Sequence, residues 1–163
     1  MTHARSTAAG VVMLAASLVF TTAAARAETL FLATLDGTQS VPPTASGATG
    51  SAVLILNDAQ TEVSYAISYV DLEGNEIAAH FHNGIPGENG PIMHSLPAGT
   101  PKFGTWPVDA HDVGHLLGGR VYVNVHTDLF PGDEIRGDVS LSTTAVPEGP
   151  VRMTWGKIKA LFG

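Results

Sequence analysis

The residue pattern predicts an all-β domain: an antiparallel Greek-key β-sandwich carrying one short helix. Short apolar or alternating runs recur along the chain, and 18 Gly, 10 Pro and many Asx residues punctuate them. Only one segment has helical character. The 163 residues, 44% hydrophobic and 14% charged, suffice for one domain with a real core and not for two. With no Cys, disulfides and thiolate metal clusters are excluded, and stability must rest on packing.

Residues 1–27 read as a secretory signal. Arg5 supplies the positive start, an apolar stretch runs from Ala8 to Phe20, and Ala25-Arg26-Ala27 fits a cleavage site before Glu28. The expected body, 28–146, begins with an apolar β-prone run at 29–35, stopped by Asp36-Gly37. A loop rich in Pro, Ser, Thr and Gly leads to a second strand at 51–56. Residues 62–70 alternate, with Val63, Tyr65, Ile67 and Tyr69 on one face, and 57–61 make the hairpin loop between them. Further strands are expected at 76–82, 91–96, 120–126 and 134–142. The helix is expected at 109–117, with Asp109 as N-cap and Gly118-Gly119 as the stop. After Val146 comes a Pro-Gly linker, then a basic amphipathic tail; together they make up 147–163.

Charge narrows the partners. Between Glu28 and Val146 three basic residues (Lys102, Arg120 and Arg136) face fourteen acidic ones, a formal charge of −11 with His neutral. Such a field disfavours nucleic acid and anionic lipid and favours cations. The tail reverses the sign. Arg152, Lys157 and Lys159 accompany Met153, Trp155, Ile158, Leu161 and Phe162, a composition suited to peripheral contact with a membrane surface or to packing on the domain itself. It is too short and too charged to span a bilayer.

Histidine is the informative residue type. In the strand at 76–82, side chains alternate, so Ile77, Ala79 and Phe81 facing the core would turn His80 and His82 together to the other face. In the strand at 120–126, Val121, Val123 and Val125 alternate with Tyr122, Asn124 and His126. His80, His82 and His126 therefore form a candidate site for Cu²⁺ or Zn²⁺, both of which accept neutral imidazole. Asp128 and Asp133 are candidates for a carboxylate ligand or a supporting partner. The alternative is a solvated pair on an exposed strand. His111 and His115, spaced i and i+4 on the helix, form a lesser pair, and His94 reads as structural. Glu134 and Arg136 read as a surface or loop-tying ion pair. No nucleophile elbow and no phosphate-binding loop is present, so the sequence carries no signal of an enzyme.

Three blocks make the body resemble the CHRD domain, the module first named in chordin and found in many bacterial secreted proteins. They are Phe31 to Pro43 with Ala48-Thr-Gly-Ser-Ala52; Ala78-Ala-His-Phe-His-Asn-Gly84 with Pro86 to Pro91; and Gly119-Arg-Val-Tyr-Val-Asn-Val-His-Thr127 with Pro131 to Gly137. Ser40 departs from the Glu the family often has there, and Asn83 from a common Gly. The resemblance implies an extracellular sandwich, immunoglobulin-like or Cu/Zn superoxide dismutase-like, with no established catalytic activity. In a fainter likeness, His80 and His82 resemble the paired copper ligands of Cu/Zn superoxide dismutase and His126 the late one. A full zinc subsite is missing, and dismutase activity is not expected. The expectation is thus a secreted or periplasmic, non-catalytic binding or structural module with an extracytoplasmic protein or matrix partner. Alternatives are a copper- or zinc-binding protein and an envelope-associated protein docked through its tail.

Overall fold

The computed structural model describes residues 28–143. The signal expected at 1–27 and nearly all of the linker and tail lie outside the described residues. Among the described residues nine strands form one antiparallel sheet: β1 (Thr29–Asp36), β2 (Thr49–Leu56), β3 (Glu62–Val70), β4 (Glu76–Asn83), β5 (Ile92–Ser95), β6 (Lys102–Pro107), β7 (Val121–Thr127), β8 (Ile135–Asp138) and β9 (Ser140–Leu141). Their order is β5-β4-β7-β8-β1-β2-β3-β6, with β9 also on β1. The all-β, antiparallel expectation holds.

The sheet folds over so that its two halves face each other. Phe81 of β4 stacks on Trp106 of β6 at 5.5 Å and meets Tyr65 of β3 edge-on at 5.5 Å. Around them close Phe31, Leu35, Leu54, Ile67, Val123, Val125 and Ile135, each almost fully buried. At roughly 1.5–3 kcal/mol for each large apolar side chain, this core is the main source of stability in a chain without disulfides. The one α-helix among the described residues, α1 (Ala110–Leu117), starts at Asp109, whose carboxylate accepts from the N–H groups of His111 and Asp112, and adds Val113 and Leu116 to the core. Among the described residues no helix is long and apolar enough to cross a membrane.

Two expectations need correction. The sequence does not signal the strand at 102–107, because Pro101, Gly104 and Pro107 look like turn residues. Here β6 pairs with β3, and Gly104 is needed where a Cβ would meet the Tyr65 hydroxyl at 2.2 Å. Ile77 does not face the core. A bulge between Glu76 and Ala78 throws it outward to 58% exposure, and the alternation becomes regular from Ala78 onward.

Candidate metal centre

β4 and β7 lie side by side with Ala78 opposite His126, His80 opposite Asn124 and His82 opposite Tyr122. Opposed residues of an antiparallel pair share a face, so all three histidines point away from the Phe81–Val123 core. The three do converge. One ring nitrogen from each of His80, His82 and His126 lies within 4.8 Å of the others. His80 Nδ1 stands 3.2 Å from His126 Nε2. With bonds of about 2.0–2.1 Å, neighbouring nitrogens on a metal lie between about 2.9 Å (right angle) and 3.3 Å (tetrahedral), so this edge already has the right length.

Two backbone carbonyls orient the ligands. His82 Nδ1 lies 2.8 Å from the Gly90 carbonyl and His126 Nδ1 lies 3.0 Å from that of Pro131. A carbonyl only accepts, so each Nδ1 carries the proton and each Nε2 turns a lone pair toward the centre, that of His126 facing His80 Nδ1 across the 3.2 Å edge. His82 Nε2 is buried and has no hydrogen-bond partner. Burial holds the pKa of His82 below the usual imidazole value. His80 is lowered too, by burial first and then by the nearby His126 and His82 rings. Neutral imidazole is the form that binds metal.

This face is only partly solvated: His80 and His126 are half-buried, and His82 is buried. Tyr122 and Asn124 are buried, and Tyr122 is stacked between two groups. The His82 ring lies nearly parallel to it at 4.8 Å, and the Arg136 guanidinium sits 3.6 Å from its ring centre. Arg136 is fully buried and donates to the carbonyls of Ile85 and Glu88, holding the loop that presents the Gly90 carbonyl to His82. Gly90 itself is required: a Cβ there would sit 1.7 Å from the Asn83 carbonyl oxygen.

The carboxylates divide. Asp128 does not join the histidines, because its two oxygens accept from the backbone and side-chain amides of Asn75. Asp133 is buried on this side of the molecule. Desolvation pushes its pKa up against the opposing charges of His126 and Arg136, and its Oδ2 lacks a partner. The surface pair of Glu134 and Arg136 is replaced by two separate arrangements. Arg136 pairs with Asp138 at 3.0 Å. The buried Glu134 carboxylate accepts from Ser46, Thr127 and the N–H groups of Glu73 and Gly74. His111 and His115 lie together on α1, and His115 Nε2 meets the Asn83 amide at 3.3 Å, apart from the main cluster. His94 packs against both Phe81 and Trp106, a structural role.

The family model of the CHRD domain matches residues 31–139, two thirds of the sequence and nearly all of the sheet. The chain belongs to the CHRD domain family. All three histidines, the Gly90 and Pro131 carbonyls and Arg136 lie inside the CHRD match. CHRD domains are typically extracellular, are not known as an enzymatic family, and support a role as a binding or structural module. No curated protein and no solved structure matches the chain.

Proposed function

We propose that this CHRD domain is a secreted or periplasmic, non-catalytic binding module, and that its ligand is a single Cu²⁺ or Zn²⁺ ion held by His80, His82 and His126. The convergence of three imidazole nitrogens carries the reading. Two of the rings are fixed by carbonyls in the tautomer that leaves Nε2 unprotonated, and the buried Nε2 of His82 has no hydrogen-bond partner. Three nitrogens leave at least one coordination position for water or an outside ligand. Asp133 and Arg136 would tune and brace the centre without binding the ion. The export features at 1–27 and the charge of −11 between Glu28 and Val146 support a protein that meets cations outside the cytoplasm.

Metal content of protein exported by its own signal and purified without chelators tests this directly. About one equivalent of copper or zinc is expected, and His126→Ala should abolish it with the fold intact by circular dichroism. Protein that arrives empty and refuses added metal would leave a module without an ion, and the search would turn to an extracytoplasmic protein or matrix partner.

A further inference from the structure

A second apolar cluster lies on the opposite side of the molecule from the histidines. The outward face of β1-β2-β3-β6 carries two cross-strand rows. In one, Leu32 lies opposite Val53, Val53 opposite Ala66 and Ala66 opposite Phe103; in the other, Leu30 lies opposite Ile55. This cluster is separate from the main core. Within it Ile55 and Ala66 are buried and Leu30 and Phe103 half-buried, while Leu32 is 41% exposed, and a groove of about 300 Å³ runs along Leu32, Val53 and Ser140. An apolar surface of this kind on a sheet marks a place where something docks.

We infer that the occupant is the chain's own C-terminal segment, 151–163. Four observations point to it. The described chain ends at the border of this face, beside β1: Ser142 N–H donates to the Leu30 carbonyl at 2.9 Å and Ser140 Oγ to that of Leu32 at 3.2 Å. The linker 144–150 can reach roughly 23 Å at about 3.3 Å per residue, more than the roughly 14 Å from β1 to β6. Val151, Trp155, Ile158 and Phe162 fall at i, i+4, i+7 and i+11, the spacing of one apolar helix stripe. Arg152, Lys157 and Lys159 are cations on a segment tethered to an acidic domain, whose Glu62 lies on the outward side of β3. The tail thereby completes the domain instead of anchoring it elsewhere.

The test uses the mature chain, 28–163, in dilute lipid-free buffer. The emission of Trp155 is isolated by subtracting the spectrum of Trp155→Phe. A blue-shifted emission shielded from acrylamide at all protein concentrations is expected. That shielding should be lost in Leu32→Glu and Val53→Glu, with far-UV circular dichroism unchanged. Leu32→Glu sits at an exposed position and keeps the test alive if Val53→Glu fails to fold. Free access of acrylamide to Trp155 in the unaltered chain would overturn the inference. So would shielding that survives both substitutions, that grows with protein concentration (a second copy as partner), or that appears only with anionic phosphatidylglycerol vesicles (a lipid surface).

Discussion

Two polar regions of this domain, the Glu134 carboxylate and the histidine face, differ in how fully their buried atoms are partnered. The Glu134 carboxylate accepts four hydrogen bonds, from Ser46, Thr127, Glu73 and Gly74, and so ties two loops to the end of β7. The histidine face is left incomplete, with His82 Nε2, Asn124 Oδ1 and Asp133 Oδ2 buried and unpartnered. A saturated group is scaffold. Each unpartnered buried polar atom costs about 1–3 kcal/mol, and folds retain such atoms where a ligand, ion or water completes them. The contrast separates the part of the molecule that holds it together from the part kept ready for something else.

Removing the scaffold should have the largest effect. Glu134→Ala removes the shared acceptor of four donors, one buried and three part-buried, and should cost about 3 kcal/mol in a urea titration, with or without metal. The same group sets the acid limit. Desolvation works to raise the Glu134 pKa, but the Glu73, Ser46, Thr127 and Gly74 donors outweigh it and hold it below the ordinary value of 4.5. A depressed carboxyl contributes stability that is full above the unfolded pKa and lost as pH falls through the folded one. Unfolding midpoints should therefore drop below about pH 4.5, and Glu134→Gln should flatten that slope.

Filling the incomplete face comes next. Cu²⁺ or Zn²⁺ at a hundredfold excess over its dissociation constant should stabilise the fold by about 2.7 kcal/mol, read as a shift in thermal midpoint. His80→Ala and His126→Ala should each erase that gain while leaving the metal-free protein about as stable as before. The brace behind the ligands should matter less. Arg136→Leu releases the Ile85 and Glu88 carbonyls, and Gly90→Ala displaces the one that orients His82; calorimetry should show metal affinity falling about 10–100-fold in each. At the bottom of the scale stands Asp128→Asn, which should leave metal affinity unchanged, because that carboxylate serves Asn75.

The sequence carried the site further than its surroundings. His80-Phe81-His82 announces its own two faces, because strand alternation depends on nothing distant, and the Val-x-Val-x-Val run before His126 does the same. What the sequence could not show was the layer over the histidines. The Gly90 and Pro131 oxygens are backbone atoms and leave no residue-type signal. Arg136 looks like any surface cation until the loop at Ile85 and Glu88 closes over it. Lys102 likewise sits in a segment punctuated by Pro and Gly, yet it is fully buried against Glu76 and the Pro97 carbonyl. In each case a contact distant in the chain decides the outcome, and local pattern holds no record of it.

The pairing of β4 with β7 gives the histidines and the aromatic core a shared fate. Phe81 and His82 are neighbours on one strand and belong to opposite sides of it. A single inserted or deleted residue in β4 would send a histidine into the stack with Trp106 and turn Phe81 out toward Tyr122. Changes of length in this strand are therefore tolerable only in pairs or at its ends. In descent, the ligand set and the core can only be inherited together.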